Sequence, residues 1–207
     1  MTDYVLVGGG AFAREIIGWF KPGLPAGDRF AGYLDDGDEP LRAAGYHLPQ
    51  LGKIAGFKPS PGQSLVMALT DPSGKMAVAK GLLAAGGQFA TLVHPRAWVT
   101  DTAKLGSGVV IGPFADISAD ARVGDFASVN GYSSVGHDAH LGPYSTLSGY
   151  VDLTGYVKVG EACFFGSGAR VLPSVTVGAG CTVGAGAVVV RNVADGATVY
   201  AAPARRL

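Results

Sequence analysis

The chain has 207 residues, of which 48% are apolar and 15% charged, and its formal net charge is zero. That balance supports a sizeable core and excludes the electrostatic footprint of a nucleic-acid binder, and no apolar run reaches the roughly 18 residues of a membrane span. Two cysteines, and an opening MTDYVLV that reads as a first strand and not as a signal peptide, predict a protein of the reducing cytoplasm.

Tyr4 to Val7 is the first predicted strand, and Gly8, Gly9 and Gly10 turn the chain. Phe12, Ile16, Ile17 and Phe20 then recur at helical spacing. Phe30 to Leu34 is a second strand, closed by Asp35 and Asp36, and Leu65 to Leu69 is a third. Asp71-Pro72 starts a helix that runs to about Leu83, and Gln88 to Val93 leads onward. Alternating strands and helices imply a small parallel sheet, a Rossmann-like domain over residues 1–92.

Gly8-x-Gly10-x-x-Ala13, with acidic residues about 22 positions later, matches the dinucleotide fingerprint. A full dinucleotide fold needs two βαβ halves, and this segment supplies about one. A mononucleotide or nucleotide-sugar fits better. Its phosphate would sit near the helix N-terminus, by Ala11 and Phe12, and Asp35 or Asp36 would bond the base or ribose. The alternative is a tight turn without a ligand.

From Val99 to Val189 every sixth residue is apolar, sixteen positions in all, among them Ile117, Val135, Leu153 and Val171. With half the residues apolar, chance gives such a series about once in 10^5, or about once in 10^4 over six frames. Four residues after each of these, from Ala103 through Ala187, stands only Ala, Val, Ser or Cys. A period of six fits a short strand plus a corner, with three sides per 18-residue coil and coils stacked at about 4.8 Å. The small and the large residue point inward. This prism is predicted from about Val93 to Val193, within a second domain over residues 93–207.

His137 lies at a predicted corner and Asp138 follows it. A carboxylate beside an imidazole favours the cation and makes a better base. Gly155 lies 18 residues on, at the same corner one coil up, where its amide is open to a small acyl group. On geometry alone His137 is either a base or a solvated surface residue. Asn130 and His137 are separated by a whole prism side, Ser133 to Gly136. At about 3.3 Å per residue they cannot meet within one chain. A site using both requires two subunits, and closed symmetry is the usual way to supply them.

The hexads resemble those of the hexapeptide-repeat acyltransferases, and the stretch Asn130-Gly-Tyr-Ser-Ser-Val-Gly-His137-Asp138 is similar to the core motif of one bacterial family. It includes sialic acid O-acetyltransferases and N-acetyltransferases of nucleotide-linked 4-amino-sugars. Gly8-Gly-Gly-Ala-Phe-Ala-Arg-Glu15, Leu34-Asp35-Asp36 and Pro203-Ala204-Arg205 match as well, so the resemblance spans nearly the whole chain. It implies a left-handed parallel β-helix, acetyl-CoA as cosubstrate, no metal, and a homotrimer with active sites between subunits. It implies His137 as base, Asp138 as its orienting neighbour, Asn130 in the site and the Gly155 amide as a donor. The turn through Gly8, Gly10, Ala11 and Phe12, with Asp35 and Asp36, would hold the nucleotide-linked amino sugar. Phe12 stands where many relatives carry His, and Ala201 where Gly is usual before x-Pro-Ala.

Other signals have plainer readings. His140 should point out from a flat side while His137 turns a corner, so with His47 and His94 no zinc triad forms. Cys163 and Cys181 are 18 apart in the inward column and read as stacked core residues, not a disulfide. Arg205 and Arg206 are candidates for CoA phosphates, or a solvated tail. The expected activity is N-acetylation of a nucleotide-linked amino sugar. O-acetylation of a sialic acid or similar sugar, and non-catalytic nucleotide-sugar binding, are the alternatives. The sugar, the nucleobase and the acyl length stay open.

Overall fold

A computed structural model of the chain describes residues 1–202. β1 (Asp3–Val7), β2 (Arg29–Leu34), β3 (Gln50–Gly52) and β4 (Gln63–Met67) form an all-parallel sheet in the order β3-β2-β1-β4. α1 (Ala11–Phe20) and α3 (Pro72–Ala84) cover its two faces, and α2 (Pro40–Ala43) is a single turn. Strand alternation divides the burial. Leu6 and Val66 pack with Phe12, Ile16 and Phe20 of α1, whereas Val5, Val7, Leu65 and Met67 pack with Ala79 and Leu82 of α3. Both cores continue into the second domain, one taking in Val110 and the other Phe126.

The second domain is a three-sided prism of two-residue strands, with five, seven and six strands per side. As far as Val188–Val189, neighbouring strands pair in parallel 18 residues apart, as Ser134↔Asp152 and Val135↔Leu153 do. The large inward residues and the small column form one continuous core, with Ile117, Val135, Leu153, Phe165 and Val171 fully buried. Cys163 and Cys181 are free and buried in it, and burial pushes the Cys163 thiol up to about 11.

The prism begins at Leu92–Val93 and outlasts its expected end at Val193, because Thr198–Val199 pairs with Thr182–Val183. The hexad frame is lost after Val189, where Val193 bridges to Val177 and Thr198 pairs with Thr182, each 16 residues apart instead of 18, although the stacking continues. Corners place their second residue in the left-handed region, at φ of 54–63° for residues such as Phe114, Tyr132, Asp138 and Tyr156. That conformation costs non-glycine residues roughly 1 kcal/mol. At the aromatic corners ring stacking works against that cost, with Phe114 on Tyr132 at 5.0 Å and Tyr132 on Tyr150 at 4.9 Å. No helix among the described residues is long and apolar enough to cross a membrane.

Candidate active site

His137 and Asp138 form the corner between the strands Ser134–Val135 and His140–Leu141. Asp138 takes the left-handed corner conformation, φ 57°, and its N–H donates to the Ala119 carbonyl at 3.0 Å. So fixed, its carboxylate lies 2.9 Å from His137 Nδ1. A carboxylate can only accept, so Nδ1 donates in that contact, and in the neutral imidazole Nε2 keeps its lone pair. His137 is 57% exposed, so this nitrogen is reachable from outside.

Gly155 lies one coil up, as the 18-residue spacing predicts. A Cβ there would strike His137 Nε2 and come within 2.7 Å of Cε1. The imidazole therefore occupies the space that any other residue would fill. The Gly155 carbonyl accepts from Ser174 N, while its N–H has no acceptor among the described residues. Tyr156, one coil above Asp138, packs its ring edge-to-face with the imidazole at 5.0 Å. The 18-residue rule applied to Asp138 points to this tyrosine, which sequence reading passed over. His140 stands on a flat strand, exposed, and no cluster of three or more His, Cys, Asp or Glu among the described residues could hold a metal ion.

Asn130 follows the strand Ser128–Val129 at the opposite edge of the same prism side. Its backbone is paired on both sides, N–H to Leu147 O at 3.0 Å and O to Ser133 N at 3.2 Å. Its Oδ1 is buried without a hydrogen-bond partner among the described residues. A buried polar atom in that condition calls for an explanation.

The glycine turn after β1 is built by Asp35. One carboxylate oxygen accepts from Gly9 N at 2.7 Å and the other from Gly37 N at 2.7 Å. Gly8 has φ +106°, and a Cβ on Gly9 would come within 2.7 Å of the Tyr33 ring. Open space lies where a Cβ on Gly10 would point. α1 starts there with no side-chain cap, which leaves its first amides free for an anion.

A cleft of about 490 Å³ opens at this point, lined by Gly10, Ala11, Phe12, Asp35, Thr70 and Asp71 among others. It lies past the carboxyl ends of β1 and β4, where the strand order reverses, the usual ligand crevice of such sheets. Phe12 walls the cleft and also packs into the core, edge-on to Trp19 at 6.0 Å. Glu15, also on the wall, has its carboxyl raised by burial, with Arg14 opposing. The acidic pair divides. Asp36 lines a separate apolar groove, and its Oδ1 accepts from Ile54 N at 2.9 Å. Arg205 lies outside the described residues, as does Arg206.

The family model for bacterial transferase hexapeptide (six repeats) matches residues 156–191. No curated protein matches the chain by sequence. Among solved structures, PerB of Caulobacter crescentus in complex with CoA and GDP-perosamine is 32% identical, over 99% of this chain and 97% of its own, with a TM-score of 0.85. A His-to-Asn mutant of perosamine N-acetyltransferase from the same organism is 30% identical over 99% and 96%, with a TM-score of 0.83. The acetyltransferase domain of PglB from Neisseria gonorrhoeae is 26% identical over the full length of both, with a TM-score of 0.86. The chain therefore belongs to the hexapeptide-repeat, left-handed β-helix family of sugar acetyltransferases.

Proposed function

We propose that this acetyltransferase moves the acetyl group of acetyl-CoA to the amine of a nucleotide-linked amino sugar, by direct attack with His137 as general base. The observation that carries the reading is the Asp138-oriented imidazole whose free Nε2 lies over Gly155. Nε2 accepts a proton as the sugar nitrogen bonds to the thioester carbonyl carbon. The Gly155 N–H donates to the oxygen that becomes negative. When the carbon–sulfur bond breaks, the imidazolium returns its proton to the departing thiolate, and Asp138 stabilises the cation meanwhile.

The nucleotide-sugar fits the cleft at the start of α1, with its phosphates toward the free amides and Asp35 holding the turn. PerB binds the same two ligand classes, CoA and a GDP-linked sugar. We assign the unpartnered Asn130 Oδ1 to a site completed across subunits. In a trimer, Asn130 of one chain and His137 of the next would face one substrate.

Thiol release from acetyl-CoA tests the reading, with UDP-, GDP- and dTDP-linked amino sugars and free sialic acid as acceptors. Turnover on one nucleotide-linked amino sugar, abolished by His137→Ala, is expected. Turnover on sialic acid alone would replace this reading with O-acetylation, and undiminished turnover by the variant would remove His137 as base.

A further inference from the structure

Lys75 is fully buried, on the first turns of α3. It forms no salt bridge among the described residues. Its Nζ instead donates to three acceptors on the prism: Phe126 O at 3.2 Å, Ser128 Oγ at 3.2 Å and Ser145 O at 3.1 Å. An ammonium has three donors, and all three are used. As a neutral amine the group would still be satisfied, giving two bonds to the carbonyls and accepting one from the Ser128 hydroxyl. A fourth bond reinforces the junction, from Thr146 Oγ1 to Thr70 O at 2.7 Å.

A purely adhesive contact between domains is served as well by an apolar side chain, and burying an unpaired amine is costly. What a tripod of directed bonds adds is a defined register. The two segments it registers both belong to the proposed site. Asp71, which caps α3 through Gly74 N at 2.6 Å, lines the nucleotide cleft together with Gly74. Ser128 begins the two-residue strand that delivers Asn130 to its corner.

Resting on the function proposed above, we infer that Lys75 is a positioning residue, pinning the cleft wall at Asp71–Gly74 to the strand that leads into Asn130. A nucleotide-sugar held in the cleft is thereby presented to the prism corner at a set distance.

The test uses the full-length Lys75→Met protein, with Ser128→Ala as a milder second variant and Lys80→Met, on the exposed side of α3, as control. Hydrogen exchange reads the coupling without any substrate. It should quicken at residues 70–75 and 128–130 together in Lys75→Met, less so in Ser128→Ala, and not in Lys80→Met. Turnover should show kcat lowered about tenfold or more, while Kd for acetyl-CoA, and for UDP, GDP or dTDP in the cleft, stays within about twofold. Unchanged exchange at both segments would overturn the assignment, and so would equal loss of both affinities, which marks a general loss of structure. If the wild type acetylates no acceptor, the proposed function fails, while the paired change in exchange still supports the pin.

Discussion

The two halves of this molecule present their proposed sites at different structural cost. In the prism, a repeating inward pattern makes the fold, and the residues proposed for chemistry stand on corners, outside that pattern. His137 can be replaced without touching the buried column of Val135 and Leu153. In the N-terminal domain the same atoms hold the fold and line the proposed site. Asp35 shapes the glycine turn through Gly9 N and also walls the cleft. Stability and activity should therefore separate in the prism and move together in the cleft.

The sharpest form of this comparison is His137→Ala. Activity should fall about 10^3-fold, within the usual range for a lost general base, while the melting temperature stays within a few degrees. A large drop in melting temperature would show that the corner also holds the fold. Gly155→Ala comes next, with a loss of about 10^2-fold. Its methyl would displace the imidazole and crowd the amide beside it. Acetyl-CoA turnover and the histidine's NMR titration would register both effects. Asp138→Asn is milder, about 10-fold to 10^2-fold. Asn tolerates the φ of 57°, so the backbone holds, while the charge beside Nδ1 is lost and the amide N–H2 competes to donate to it. Rescue of the activity at high pH would contradict this, since a missing carboxylate is not restored there.

The cleft half is tested by Asp35→Ala. Two amide hydrogen bonds to a carboxylate disappear, which should lower stability by about 1–3 kcal/mol, and the KM for the nucleotide-sugar should rise in the same variant. If chemical denaturation shows no loss while KM rises, the turn is held by its glycines and the comparison breaks.

How much of this was legible from residues alone follows the same division. The six-residue period identified the prism and placed His137, Gly155 and Asn130 at corners, because every coil repeats one geometric instruction. The instruction fails after Val189, where a coil shortened by two residues leaves the frame although Val193 and Thr198–Val199 still pair with the coil before. In the N-terminal domain, β1, β2, β4 and α1 were readable from apolar spacing, and α3 from its Asp71-Pro72 start. β3 was not, since Gln50-Leu51-Gly52 has neither length nor alternation and is held by pairing to Tyr33 and Leu34. The acidic pair read as one unit, yet the chain turns between its members and sends them to different clefts. Lys75 was invisible, because a lysine on a surface-type helix is expected in solvent and only the prism surface opposite explains its burial.

That same lysine offers the smallest and most selective effect. Burial pushes its ammonium down to about 7, with the Asp71 carboxylate opposing; the prism groups that bond it, Phe126 O, Ser128 Oγ and Ser145 O, are uncharged. Lysine in the unfolded chain titrates near 10.4, so between about pH 7 and 10 the unfolded state binds more protons than the folded one. Stability from this group therefore rises with pH across that window, by at most about 1.4 kcal/mol per pH unit, and is flat below it. Below pH 7 the folded protein bears the full burden of a buried charge. Lys75→Met has no such group, so the stability difference between wild type and variant should grow in favour of the wild type from pH 7 to 9. Urea denaturation at several pH values measures it. Parallel pH profiles would mean that the amine keeps a near-normal affinity for its proton inside the junction, where its three acceptors then stabilise the cation as well as water does.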